Sequence, residues 1–461
     1  MNSYLLNRSA GVISPREFAR FETERRLHAL QYSSVRFDGR IRQQPVNGSG
    51  TSDDVQQGAQ EEALAHPAGV NALTIDKFEG RYLLSGGADH AISLWDLEAA
   101  LPTVPPTHHP LSTASRNQPP YHKFGITDLH FYPFDSLAFT SSSYDHTLKL
   151  WSSDPLRPSA SFPLGSIIYA HALSPIASHL LVACATQHPA VRLIDLRSGA
   201  ATHSLTGHVG GAVLSVDWSP IHEHILASAG ADGTVRFWDV RRSAGCLGVL
   251  DMDDSVGHGG FLGGGARSHT GRGKAHAGAA NGVVWTQDGR FVVSTGHDEK
   301  IRVWDIETGA NTLASFGPLV RNAQLSALVP CLAPPGLVRP GREVLFFPSQ
   351  AEVLAFELFE GRLLKRLRTP GVVFNNAKAG AEKRGVKSKV TGLAWRVHEV
   401  ELYSAHGDGS IRCWAPRTTE DVEADAEERE EVGNAEESRK RKRQVLDDLY
   451  RDLTRRRVAD I

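Results

Sequence analysis

Apolar and polar positions alternate with period two in short runs along most of the chain, so the elements it predicts are strands. Five runs repeat one register: GGADHAISLWDL, SSYDHTLKLWSS, AGADGTVRFWDV, TGHDEKIRVWDI and AHGDGSIRCWAP. In each, an Asp stands six residues before a Trp: Asp89 and Trp95, Asp145 and Trp151, Asp232 and Trp238, Asp298 and Trp304, Asp408 and Trp414. Between them Ile92, Leu148, Val235, Ile301 and Ile411 point to the same side as Leu94, Leu150, Phe237, Val303 and Cys413. Four residues before each Asp a Ser (Ser85, Ser141, Ser228, Ser294, Ser404) closes an apolar run, the preceding strand. A His stands 18 to 20 residues further back in four copies, His66, His122, His208 and His276, and is missing from the last. Each unit therefore predicts three strands carrying His, Ser, Asp and Trp at near-fixed offsets, and a fourth strand after the Trp.

The distances between units give their number. The 87 residues from Trp151 to Trp238 leave room for a unit without a Trp, VRLIDLRSG, with Ile194 in the Trp place and His188 in the Asp place. The 66 residues to Trp304 hold one unit and a glycine-rich insertion, HGGFLGGGARSHTGRG, and the 110 to Trp414 hold two, the hidden one being EVLFFPSQAEVLAFELFEGRLL. Seven units result, and the pattern resembles the WD40 repeat family, whose units build a β-propeller of four-stranded blades. A ring of seven closes without exposed sheet edges. After Trp414 the chain turns polar, so HALQYSSVRF, residues 28–37, is the expected donor of the last blade's outer strand. The expected architecture is all-β: a helical segment at 1–30, a seven-bladed propeller at 31–416 and a charged, disordered tail at 417–461.

Ser14, Pro15 and Glu17 spell a helix start: a capping Ser, Pro in the first turn and Glu three residues on. SPREFARFETERRLHAL is expected to be helical, with Glu22 and Arg26 paired four apart. Phe18 and Phe21 on it, with YLL at 4–6, either pack on the propeller side or dock onto a partner as a helix in a groove. In the tail, 420–437 carries ten acidic residues and one basic, followed by Arg439, Lys440, Arg441, Lys442 and Arg443. That basic run suits an importin groove and places the protein in the nucleus. Leu446, Leu449 and Leu453 then recur at helical spacing. The stretch 159–191, free of Asp, Glu, Lys and Arg, contains Pro163 and Pro175 and is expected to form two buried strands and a turn rather than a membrane span.

Composition narrows the chemistry. With 43 Gly and 24 Pro the chain suits many tight turns, and a net charge of −2 from 50 basic and 52 acidic side chains gives no global field for nucleic acid or anionic lipid. Its four Cys form no C-x-x-C pair, which fits a reducing compartment, and no secretory signal precedes residue 20. Repeated Ser, His and Asp invite a hydrolase reading, but an enzyme needs one triad in one cleft, not four copies each inside its own blade. The expected role is structural: Asp accepts from His, His bonds Ser, and Ser meets the Trp N–H. No G-x-S-x-G elbow, P-loop or H-E-x-x-H occurs, and His108 with His109 and His222 with His224 fall in expected loops. No metal, cofactor or small-molecule substrate is expected, nor an ionisable cluster in the central channel.

The resemblance extends to one branch of the family. VNALTIDKFEGRYLLSGGADHAISLWDLE, FYPFDSLAFTSSSYDHTLKLW, ILASAGADGTVRFWDVRRSAGCL and STGHDEKIRVWDIETGANTL are similar to stretches of the Cockayne syndrome A family, over about residues 4–414. The degenerate third and sixth blades come in the same order. This implies a substrate receptor of a cullin-RING ubiquitin ligase of the fourth cullin class, acting in transcription-coupled nucleotide-excision repair and doing no chemistry itself. The receptor class carries a W-D-x-R sequence that contacts a large damaged-DNA-binding adaptor; Trp238, Asp239 and Arg241 match it, Asp195 and Arg197 match it beside Ile194, and Ala415 breaks it between Trp414 and Arg417. The family also implies a helical pair that inserts into the adaptor, giving Leu5, Leu6, Phe18 and Phe21 a destination. The opposite rim, around Tyr144 to His146, would face stalled RNA polymerase II and its remodelling ATPase, with no sequence-specific nucleic acid contact and no membrane. The alternative is a nuclear scaffold of the same fold, for chromatin or RNA processing, without ligase attachment.

Overall fold

The computed structural model of the chain describes residues 2–40, 64–100, 105–115, 121–176, 178–242, 245–257, 273–322, 327–370, 389–396 and 398–417. The basic run at 439–443, the rest of the tail and the core of the glycine-rich insertion lie outside the described residues.

The chain begins with two helices, α1 (Asn2–Ser9) and α2 (Pro15–His28). The start of α2 follows from the expected capping box: Ser14 Oγ accepts the Glu17 N–H, and the Glu17 carboxylate accepts the Ser14 N–H. Two short strands follow, β1 (Leu30–Tyr32) and β2 (Arg36–Phe37), then the first blade: β3 (Val70–Ile75), β4 (Tyr82–Gly87), β5 (Ile92–Asp96) and, after the two-residue β6 (Thr107–His108), β7 (Pro110–Ala114). Blades two to seven span 126–163, 168–206, 213–249, 280–305, 331–367 and 390–416, and the fold is a seven-bladed β-propeller. The third strand is well covered in the first blade, where every residue of β5 is buried, Ser93 and Asp96 included.

Inner strands bond around the axis and close the ring. Thr391 Oγ1 donates to Val70 O, Asn71 Nδ2 to Ile126 O, His171 N–H to Asp128, Trp218 Nε1 to Ala172 O, Trp285 N–H to Asp217 and Leu328 N–H to Asn281 O. Between blades six and seven, the Phe346 and Trp395 rings stack with centroids 5.4 Å apart.

Five details depart from the sequence expectations. The outer strand of blade seven does come from the N-terminal segment, but only β1 pairs there, with the Ser33 N–H continuing to Cys413 O. The chain then moves to blade one, where β2 pairs in parallel with β6 and Phe37 packs on Trp95. His108, expected in a loop, is buried in β6, stacked on Phe37 and bonded through Nδ1 to Asp96 O at 3.0 Å. Blade five has three strands, its fourth reduced to one bridge between Trp304 and Asn311. The uncharged stretch 159–191 holds the strands Ile168–Leu173 and Leu181–Thr186 and also the end of one strand and the start of another, because two blades share it. Glu22 meets Arg25 at 3.5 Å instead of Arg26.

Candidate functional site

Four blades carry the full His–Ser–Asp–Trp chain. In blade two His122 Nδ1 lies 2.8 Å from Asp145, Nε2 lies 2.6 Å from Ser141 Oγ, and Trp151 Nε1 donates to the same hydroxyl at 2.7 Å. Blades one, four and five repeat this through His66, Ser85, Asp89 and Trp95; His208, Ser228, Asp232 and Trp238; His276, Ser294, Asp298 and Trp304. Burial pushes the His122 and His276 imidazoles down against the pull of their carboxylates, so each ring is neutral, donates from Nδ1 and accepts the Ser hydroxyl at Nε2. Burial acts to raise Asp145, Asp232 and Asp298, but hydrogen bonds from the His rings and nearby backbone or side-chain donors outweigh it and hold these carboxyls well below the usual range. Each Ser Oγ thus donates to one ring and accepts from another within closed packing, which leaves it no access to a substrate.

Blade seven completes its own version from a different place. Ser404 Oγ accepts from Trp414 Nε1 at 2.9 Å and bonds His406 Nε2 at 2.9 Å, so His406, two residues along the same strand, takes the part of the absent upstream His. Gly87, Gly230 and Gly296 hold the matching position in blades one, four and five, where any side chain would collide with His66, His208 or His276. In blades three and six apolar residues take the two central places: Cys184 and Ile194 occupy the Ser and Trp places of one, Phe347 and Phe356 those of the other, all buried, while His188, in the Asp place of blade three, stands exposed.

Contrary to expectation, the central channel holds an ionisable cluster. Asp128 lies 3.1 Å from His130 Nε2 and accepts the His171 N–H, and His171 is wedged between Thr140 Oγ1 (2.8 Å) and Ser142 Oγ (3.1 Å). Burial drives His171 down to about 3 and Asp217, one blade further on, up to about 6. Among the described residues no group of three or more His, Cys, Asp or Glu is arranged to hold a metal ion, and no helix is long and apolar enough to cross a membrane.

The two rims differ. Because every blade is a meander, the turn after the first strand and the turn after the third share one rim, and the Asp of each tetrad marks the other. On the first rim, Phe78, Phe134, Leu137, Ile176, Leu180 and Ile221 stand exposed in the first turns of blades one to four. Period two does not reach into turns, so the sequence pattern gave no sign of this row. Arg197 is exposed on the same rim, where Asp195 accepts its backbone N–H and the Ser198 hydroxyl. Asp239 is buried and takes two bonds from the Arg241 guanidinium, at 3.0 and 2.9 Å, while 63% of the Arg241 side chain stays exposed. Trp238 is buried in its tetrad and contributes no surface.

The helices meet the same rim. In α2, Leu27 is buried in the blade six and seven core, Thr23 Oγ1 donates to Leu337 O, and the buried Glu24 takes Arg339 at 2.7 and 3.0 Å. The second half of α2 therefore packs on the propeller. Phe21 lies under Arg339 and Phe18 under Arg8, both half-buried, whereas Leu5, Leu6 (67%) and Val12 (73%) project into solvent. Tyr144 and His146 lie on the tetrad rim, with Phe124 exposed beside them.

Four segments, 60–96, 117–152, 199–239 and 268–305, match the WD domain, G-beta repeat. The WD repeat-containing protein ATCSA-1 of Arabidopsis thaliana is 31% identical over 417 residues, covering 77% of this chain and 87% of its own length. The ribosome biogenesis protein YTM1 of Phaeosphaeria nodorum (strain SN15) is 30% identical over 271 residues, 52% of this chain and 55% of its own. Radiation-sensitive protein 28 of Saccharomyces cerevisiae is 26% identical over 199 residues, 40% and 38% of the two chains.

Proposed function

Because this chain belongs to the WD40-repeat family, we propose that it acts without chemistry of its own, as the substrate receptor of a cullin-RING ubiquitin ligase of the fourth cullin class in transcription-coupled nucleotide-excision repair, in the nucleus. The observation that carries this reading is the shared rim: α1 with Leu5, Leu6 and Val12 in solvent, the exposed apolar row of blades one to four, and the cations Arg197 and Arg241. Such a surface fits one large protein partner, with apolar contacts at its centre and charged residues beside them. The damaged-DNA-binding adaptor is that partner, with the helices entering its cavity, and the tetrad rim is left for stalled polymerase and its remodelling ATPase. The likeness to ATCSA-1 runs along most of both chains.

A second reading, a nuclear scaffold without ligase attachment, is favoured by the ribosome biogenesis relatives, which match about half of this chain. One experiment separates the two. Leu5→Asp, Leu6→Asp, Arg197→Glu and Arg241→Gln together alter exposed side chains, and the Gln amide keeps a donor for the buried Asp239. Co-purification of the adaptor from nuclear extract is expected to fall at least tenfold with unchanged thermal unfolding; retention of the adaptor by the quadruple variant, or its absence from the wild-type eluate, rejects the ligase reading.

A further inference from the structure

Among the described blades, blade five alone lacks a strand on the outer side of its third strand. In blade four that edge is filled: Asp239 N–H donates to Gly245 O at 2.8 Å, Arg236, Phe237 and Trp238 pair with 246–249, and Leu250 N–H reaches Val235 O at 3.0 Å. Blade five begins the same ladder, with Asp305 N–H to Ala310 O at 3.0 Å and Thr312 N–H to Val303 O at 2.9 Å, and then abandons it. Leu313 adopts a left-handed φ of +56°, and the chain crosses to blade six, where Phe316 packs edge-on against Phe356 at 5.4 Å. The outward N–H groups of Ile301 and Val303 and the Ile301 carbonyl keep no backbone partner among the described residues. Beside them runs a groove of about 720 Å³, between 298–302 and 311–321, with Leu313 exposed at its lip.

We propose that this groove is a docking site for an extended segment of a partner protein, which adds to blade five as its missing fourth strand. Main-chain donors and acceptors at strand spacing are satisfied by an extended peptide and not by a helix, whose own groups are already paired. At about 3.3 Å per residue, the free edge from Lys300 to Val303 takes roughly four residues. Two of the groove's cations are paired within it, Arg302 with Asp298 at 2.7 Å and Arg321 with Glu299 at 2.6 Å, and Asp253 and Lys300, one of each sign, line it as well. The lining as a whole favours neither sign, so the occupant carries little net charge over those positions and places an apolar side chain against Leu313 and Phe316. This site is independent of the adaptor reading, since it lies on the outer edge of a blade and not on the rim of exposed turns.

The test is a selection of displayed random 12-residue peptides on the full-length protein, counter-selected on Ala314→Trp, which fills the groove. Enriched peptides are expected to bind wild type with Kd of roughly 1–100 µM, to lose at least tenfold when alternate amides are N-methylated, and to slow amide exchange at Ile301 and Val303. The N-methyl arm uses wild-type protein, so it stands even if Ala314→Trp folds poorly. Absence of enriched peptides, or peptides indifferent to N-methylation, overturns the proposal. So does slow exchange at Ile301 and Val303 in the unliganded chain that becomes fast on deletion of 258–272, which would mean that the chain fills its own edge.

Discussion

A buried histidine that is bonded at both ring nitrogens is costly to remove, and His208 is one: Nδ1 donates to Asp232, and Nε2 accepts from Ser228. His208→Ala strands a carboxylate and a hydroxyl in closed packing and is expected to cost about 2–3 kcal/mol. His188→Ala, at the exposed Asp place of apolar blade three, is expected to change stability by less than about 0.5 kcal/mol. Urea unfolding of the two variants measures the contrast. Asp232 adds an acid limb: its folded pKa lies below its unfolded value of about 3.9, so its contribution is present above that value and is lost as pH falls through the folded one. Asp232→Asn is expected to flatten the loss of stability below about pH 4, and an unchanged acid limb would assign it to other groups. The tetrads are legible in the sequence because each residue repeats at a fixed offset. His406 is not, since it enters the same hydroxyl from within the strand; its only trace is the Gly at the matching place of Gly87, Gly230 and Gly296, read together with the absent upstream His.

At the level of elements, the N-terminal segment divides between docked and free parts. Among the described side chains of residues 5–13 none is buried, while Leu27 and Leu30 lie in the cluster with Phe346 and Trp414. Removing residues 1–13 is expected to leave the unfolding temperature within about 2 °C. Removing residues 1–33 takes two buried leucines and the outer strand of blade seven, and is expected to lower it by more than about 5 °C, as calorimetry would register. An equal effect of the two truncations would mean that β1 does not close the ring. The capping box made the start of α2 legible to within a residue, whereas its end falls at His28, two residues short of the expected Leu30, which belongs to β1. What the sequence left open was how far the closing strand runs and whether α2 docks, because β1 ends where the chain is needed to cover Trp95, and docking depends on Arg339 and Leu337, more than 300 residues away. Blade five failed for a related reason. A fourth strand is expected after Trp304, but the ladder stops at one bridge and Phe316 packs on Phe356 of blade six instead.

For the whole molecule, ring closure makes neighbours of residues that no local pattern joins. Asp128, His130, His171 and Asp217 come from three inner strands, and His171 reaches across to Thr140 and Ser142 of the neighbouring blade, so only the circle sets these groups against one another. The exposed apolar row on the rim of first turns has the same origin, one turn from each of four blades. Asp217 gives this arrangement a measurable sign. Burial raises its carboxyl to about 6, against the Trp285 N–H and the charges of His130 and Lys77, which pull it down. A folded pKa above the unfolded value of about 3.9 means that the folded state holds the proton more tightly. The contribution to stability is therefore full below about pH 4 and is lost as pH rises through 6, so that near neutrality the ionised group is a burden to the fold. Asp217→Asn keeps an oxygen for the Trp285 N–H, which lies 3.0 Å away, and removes the charge. Relative to wild type, it is expected to be about 1–2 kcal/mol more stable at pH 7.5 and to show no gain at pH 4, by denaturant unfolding at both values. A variant less stable than wild type at pH 7.5 would mean that the carboxylate is held by its cationic neighbours, and that the channel cluster works as an ion-pair network instead of a strained one.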